Sequence, residues 1–219
     1  MNKHEFVSKA ALNAQLATDV QAILAAAIAQ KGIATLVVSG GSTPLAFFGL
    51  LSKADIDWSR VTVTLADERC VAATHEDSNE KLVREHLLIN KAAPAQFVSL
   101  LSDGPVAVAV LPTFDVLILG MGEDGHTASL FPKASNLTTA LAMDSAMACI
   151  KIDPITAPYQ RISMTLPRLL ASQHIYVHVT GSKKMSVLNH ATRAKTRTEL
   201  PISAVLQQQV TPVSVYWAA

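Results

Sequence analysis

The stretch that most restricts how this chain folds is Phe114-Asp115-Val116-Leu117-Ile118-Leu119, which stops at Gly120-Met121-Gly122-Glu123-Asp124-Gly125-His126. A short run that is apolar but for one residue has the composition of a strand buried on both faces. Such strands belong to parallel sheets covered by helices. Gly120 and Gly122 permit the tight exit that the loop needs. In open parallel sheets, ligands bind just beyond the carboxyl ends of the strands. Asp124 and His126 are therefore expected at the rim of a cleft. One Asp and one His in a loop are ordinarily a solvated turn. Here the polar trio Glu123, Asp124 and His126 is held between two apolar segments, the second being Ala128-Ser129-Leu130-Phe131, and solubility alone explains that poorly.

The strand–turn–helix rhythm recurs. Leu12, Leu16, Val20, Ile23, Leu24 and Ile28 recur at three- and four-residue steps and predict a helix over residues 8–30, ended by Gly32. Residues 33–38 form a β-rich run that breaks at Ser39-Gly40-Gly41-Ser42-Thr43-Pro44. Pro44 suits the first turn of a helix, with Ser42 or Thr43 as its N-cap. A Gly-rich turn entering a helix presents free backbone N–H groups, so Gly40, Gly41, Ser42 and Thr43 favour an anion, typically phosphate. No Gly-Lys-Ser/Thr follows, so this is not a Walker loop. Residues 61–65 predict another strand, ending at Asp67-Glu68-Arg69. Those charges either point into the same cleft or form a local Asp–Arg pair that caps the turn. Asp77 or Ser78 can cap a following helix over residues 80–88.

Residues 97–101 read as a short strand, and 106–111 as strand or helix by pattern alone. Strands are expected over 147–152, 161–166, 174–179 and 213–217, and short helices after Pro167 and over 200–206. Arg161 stands where loop meets strand; a lone Arg there is usually a surface residue, though it is within reach of the cleft. In the alternating run 174–179, His174 and His178 share the less buried face. Lys183 and Lys184 follow Gly181 in the first turn of a helix, where a cation is disfavoured by the helix dipole unless an anion lies nearby. The repeated order implies an α/β fold: one Rossmann-like domain over residues 1–219, with a mostly parallel sheet flanked by helices on both faces.

Composition narrows the function. The chain has 219 residues, half of them hydrophobic, and a net charge of +1. No basic stripe with interleaved aromatics supports nucleic-acid binding. No unbroken apolar run approaches the roughly 20 residues that span a bilayer, and the N-terminal charges are not followed by a signal-peptide core. Cys70 and Cys149 are too few for a disulfide scaffold and lack metal-ligand spacing, so a reduced, cytoplasmic setting is expected, with no metal or cofactor.

The run Gly-Met-Gly-Glu-Asp-Gly-His-Thr-Ala-Ser-Leu-Phe-Pro resembles the signature of 6-phosphogluconolactonases, and a related form occurs in glucosamine-6-phosphate deaminases of the same fold. Four other stretches resemble the lactonase pattern, in order: Ser39 to Pro44, Asp67-Glu68-Arg69 with Asp77-Ser78-Asn79, Arg161-Ile162-Ser163-Met164-Thr165, and Gly181-Ser182-Lys183-Lys184. The resemblance implies a catalytic His126 with Asp124 beside it, and substrate-contacting cations at Arg69, Arg161 and Lys184. It also implies a helix within 106–111. Where the family often has Gly-Glu-Gly-Lys, Lys183 here is a rival to Lys184. In the deaminases the strand-end pair is followed by an aromatic, and the His loop runs on to Ala-Phe-Asn-Glu-Pro. Here Arg69 and Ser129-Leu130-Phe131-Pro132 stand instead, which favours the lactonase. The expected substrate is a sugar-phosphate lactone, taken by a monomer or small homo-oligomer. Asp67 is a further candidate to touch it. The competing expectations are a deaminase-like isomerase and a sugar-phosphate sensor without turnover.

Overall fold

The apolar runs read from the sequence stack side by side. In the computed structural model, which describes residues 1–219, the elements in chain order are β1 (Asn2–Phe6), α1 (Lys9–Lys31), β2 (Ala34–Val38), α2 (Leu45–Leu51), β3 (Val61–Leu65), β4 (Asp67–Arg69), α3 (Asn79–His86), β5 (Gln96–Val98), α4 (Gly104–Ala109), β6 (Phe114–Leu119), α5 (Leu137–Leu141), β7 (Cys149–Ile152), β8 (Arg161–Met164), α6 (Leu166–Leu170), β9 (Ser172–Thr180), α7 (Ser182–Ala191), α8 (Ile202–Leu206) and β10 (Val213–Ala218). Seven strands form one sheet in the order β1-β10-β9-β6-β2-β3-β5, and every pairing in it is parallel. Every residue of β2 and β6 is buried, so both faces of the sheet are covered. The buried hydrophobic residues form one cluster of 57.

The strand order positions the site. From β2 the chain builds outward through β3 and β5, then returns to β6 on the other side of β2 and builds the opposite way through β9 and β10. The carboxyl ends of β2 and β6 thus flank the switch point of the sheet, where the connecting loops diverge and leave a crevice. A second, antiparallel sheet, β4-β8-β7, continues from the end of β3 and walls that crevice.

α1 begins where Ser8 accepts a hydrogen bond from the Ala11 N–H and ends where Gly32 turns into the left-handed region at φ 82°. Its Leu12, Leu16, Val20 and Leu24 are fully buried. By length and composition α1 is the one helix able to cross a bilayer; here this apolar stripe packs on the sheet and on α2. Several sequence expectations shift at their edges. α2 starts at Leu45, with Pro44 at the capping position and no side-chain cap from Ser42 or Thr43. Ser78, not Asp77, caps α3 by accepting from the Lys81 N–H. Residues 104–109 are helical, and the strand expected over 97–101 is shorter.

The β2–β6 seam is pinned by a charge. Asp115 is 1% exposed, accepts a hydrogen bond from the Thr35 N–H at 2.8 Å and meets Lys31 Nζ at 2.7 Å. Replacing Asp115 with Ala strands the buried Thr35 N–H, while the partly exposed Lys31 finds water. The expected loss is about 2–4 kcal/mol of unfolding free energy, with Asp115→Asn recovering part of it because the amide oxygen still accepts. Urea melts check this; a loss below about 1 kcal/mol, the net worth of an ordinary hydrogen bond, would mean that the carboxylate does not pin the seam.

Candidate active site

A cleft of about 330 Å³ opens at the switch point. It is lined by the turn after β2, the loop after β6, β4 and β8, and residues of β9 and α7. Of the ten residues singled out in the sequence, Gly40, Gly41, Ser42, Thr43, Asp67, Arg69, His126, Arg161 and Lys184 line it. Asp124 does not, and reaches the cleft only through His126. Lys184 faces the cleft and Lys183 does not line it.

The loop after β6 is folded to hold two side chains together. His126 Nδ1 lies 2.5 Å from Asp124 Oδ1, and the His126 N–H also donates to that oxygen at 3.1 Å. The loop closes on itself where the Gly122 N–H donates to the His126 carbonyl at 2.9 Å. Gly125 takes φ 80° and its carbonyl accepts from the Ile202 N–H at 3.0 Å, so α8 braces the tip. The His126 ring stacks on Phe131, with centroids 4.3 Å apart and planes 28° from parallel. Partial burial pushes the Asp124 carboxyl up, but the hydrogen bond and charge of His126 outweigh it and hold Asp124 below the usual carboxylate range. With Nδ1 donating to an ionised Asp124, Nε2 is left as the proton acceptor of the neutral ring.

Gly122 is required by this packing. A Cβ there would overlap the His126 ring and Asp124 Oδ1. Both are side chains on a surface loop, so they can yield without unfolding the protein. Gly122→Ala is therefore expected to leave the melting temperature nearly unchanged and to lower kcat by about 10²-fold, the cost of misplacing a catalytic group by about 1 Å. Equal activity of variant and wild type would show that the dyad's geometry does not govern turnover.

The wall built by β4 and β8 is cationic. Arg69 of β4 pairs across the strands with Arg161 of β8. Like charges directly opposite are unfavourable unless an anion is shared between them. Burial, then the Arg69 charge, holds the Arg161 guanidinium below its ordinary range, with Asp67 opposing that shift. Arg161 is 6% exposed, donates from Nη2 to the Pro158 carbonyl at 3.0 Å, and its Nε has no protein partner. Its burial in the cleft lining sets aside the surface place that a lone arginine usually takes. Arg69 donates from Nη1 to the Asp77 carbonyl, and its Nε is also unpartnered.

Glu68 is the brace of this wall. It is 1% exposed and accepts from the Arg69, Asn79 and Glu80 N–H groups and the Ser78 hydroxyl. Burial pushes its carboxyl up and these four donors draw it part of the way back. A carboxylate at the start of α3 also complements the helix dipole. Asp67 accepts from the Ser129 hydroxyl at 2.5 Å, linking β4 to the segment after His126. Asn79 donates to the Asp67 carbonyl at 2.9 Å and fills the space beside Gly40, where any Cβ would overlap its side-chain oxygen. The two cysteines stay outside the site; burial pushes the Cys149 thiol up to about 12, leaving it inert.

Sequence reasoning missed Asn79, Phe131 and His178 as cleft residues. His178 was expected on the less buried face of its strand and is instead 3% exposed. Both faces of β9 are covered, so alternation in its sequence does not report exposure. Asn79 had a signal, as its neighbours match a family motif; His178 had none.

The family model for glucosamine-6-phosphate isomerases/6-phosphogluconolactonase matches residues 7–217. The chain is 41% identical to a 6-phosphogluconolactonase of Neisseria meningitidis, covering 98% of both chains. It is 42% identical to one of Rhizobium meliloti, covering 99% of this chain and 98% of that one. A crystal structure of a 6-phosphogluconolactonase from Shewanella baltica superimposes with a TM-score of 0.95 at 43% identity, over 100% of this chain and 98% of that one. An Asp–His loop beside paired arginines at a parallel-sheet switch point, with full-length relatives of this kind, has one consequence: the chain belongs to the glucosamine-6-phosphate isomerase/6-phosphogluconolactonase family.

Proposed function

We infer that this chain hydrolyses 6-phospho-D-glucono-1,5-lactone to 6-phospho-D-gluconate, a step of the oxidative pentose phosphate pathway. The observation that carries the inference is one cleft lined by His126, oriented by Asp124, and by Arg69 and Arg161. A base and cations lining the same cleft suit an ester that bears a phosphate. The 40–43 turn, Arg161 and Lys184 hold the phosphate through N–H groups and charge. That anchoring sets the lactone carbonyl against the His126 loop.

Neutral His126 takes a proton from water on Nε2 as the water oxygen bonds to the lactone carbon. The carbonyl oxygen becomes an oxyanion, which Arg69 or loop N–H groups stabilise. Asp124 holds the ring's orientation and favours its cationic form. The tetrahedral centre then collapses, the bond to the ring oxygen breaks, and that oxygen takes the proton from His126. The ring opens to the free acid, which ionises, and His126 is neutral again. A lactone is an activated ester, so no seryl intermediate is needed; Ser129 is occupied in donating to Asp67.

The single cluster of 57 buried hydrophobic residues supports reading residues 1–219 as one domain. The same inference places the enzyme in the cytoplasm as a monomer or small homo-oligomer, acting on a small molecule without nucleic acid, membrane, metal or cofactor. The deciding assay follows hydrolysis of the lactone generated in situ at slightly acidic pH, where the background reaction is slower, with glucosamine 6-phosphate as the competing substrate. Turnover of the lactone alone is expected. Release of ammonia from the amino sugar without lactone hydrolysis would replace this function by the deaminase, and binding of both without turnover would replace it by a sensor.

A further inference from the structure

We propose that His178 is a substrate-binding residue of the cleft: a ring N–H on its floor donates to the phosphate held by Lys184 and the 40–43 turn. This rests on the sugar-phosphate substrate inferred above. His178 lines the cleft at the end of β9, two strands from β2 and its turn. Its ring is buried, with the Phe47 ring set against its edge at 6.2 Å and 77°. Yet neither Nδ1 nor Nε2 has a hydrogen-bond partner in the protein. Buried polar side chains are rarely left so, because each unpaired nitrogen forfeits the hydrogen bonds it had in water. A strand position packed against Phe47 is fully served by Leu or Val, so packing does not explain the imidazole.

The charge acting on the ring is that of Lys184, in the first turn of α7. Burial, then Lys184, keeps His178 uncharged down to about pH 4. A neutral imidazole beside an ammonium group adds a directed hydrogen bond without a second, repelling cation. Lys is a flexible point charge and fixes no direction. The pairing thus divides the work: Lys184 supplies attraction, and His178 supplies a defined donor against a rigid strand.

The test compares wild type with His178→Phe, which keeps ring shape and loses both nitrogens, and His178→Gln, which restores a donor. Calorimetry measures binding of 6-phosphogluconate and of gluconate; neither measurement depends on turnover, so a failure of the lactonase assignment is seen separately. His178→Phe is expected to weaken 6-phosphogluconate about 10- to 100-fold, to leave gluconate unchanged, and to raise KM for the lactone with little change in kcat; His178→Gln is expected to recover part of the affinity. Undiminished 6-phosphogluconate binding in His178→Phe overturns the proposal, and equal weakening of gluconate overturns the phosphate as its target. Should both variants fail to fold, a crystal structure of the wild-type protein with 6-phosphogluconate decides. A His178 nitrogen within about 3.2 Å of a phosphate oxygen supports the assignment, and one beyond hydrogen-bond range overturns it.

Discussion

Exchange of His126 for Ala is expected to lower kcat for lactone hydrolysis by about 10²–10⁴-fold, the range that general-base catalysis supplies, while KM and the melting temperature stay close to wild type. The ring sits on a loop, half-buried, stacked on Phe131 and hydrogen-bonded to Asp124. Little folding energy depends on it. A variant that kept its rate would move the base elsewhere, first to Asp67. Asp124→Asn tests the partner, since the amide still orients the ring but no longer stabilises its cation; a loss smaller than that of His126→Ala is expected. The same variant has a signature in stability. Asp124 in the folded protein titrates below its ordinary value of 3.8. The unfolded chain therefore binds its proton more readily, and the pair's stabilisation is present above that value and lost as pH falls through the folded one. Acid melts should be shallower for Asp124→Asn than for wild type only below about pH 4.

The parts of this site that were legible in the sequence are those whose local chemistry has no alternative. β2, β3 and β6 are short runs rich in β-branched and apolar residues, too short for helices, and the 40–43 turn and the His126 loop follow two of them directly. What was not legible depends on partners distant in the chain. β1 is polar and mostly exposed and exists because it pairs in parallel with β10 at the far end of the sequence. Asp67-Glu68-Arg69 has no strand propensity; it is a strand because β8 pairs with it and because Glu68 is consumed by the start of α3. His178 was misread because a residue type that is usually exposed was assigned its usual place, and Arg161 was named as a substrate contact only through the family resemblance, since its local pattern pointed to the surface. Their burial follows from the second sheet in one case and from α2 in the other, neither of which leaves a mark on the local pattern.

Arg161→Met is expected to separate stability from binding in opposite directions. Without ligand, the Arg69–Arg161 pairing sets two like charges across adjacent strands, one of them buried with Nε unpartnered. Removing one charge relieves both costs, and an apolar side chain of similar length fills the site. The melting temperature of the free variant should match or exceed that of wild type. Its KM should rise about 10- to 100-fold, the worth of hydrogen bonds to a charged group. Protection by 6-phosphogluconate should shrink in step. At a concentration 100 times the wild-type Kd, ligand adds about 2.7 kcal/mol of stability; if Kd weakens 100-fold, the same concentration adds about 0.4 kcal/mol. Melts of both proteins with and without 6-phosphogluconate measure the stability and the protection, and initial rates against lactone concentration measure KM. A variant that melts lower when free and keeps its KM would make Arg161 a structural residue, tied to the Pro158 carbonyl rather than to substrate. The expected pattern instead assigns the strain in this wall to function: the opposed guanidinium groups are tolerated in the free protein because an anionic substrate neutralises them, and that same neutralisation is the selectivity for a phosphorylated lactone over a neutral one.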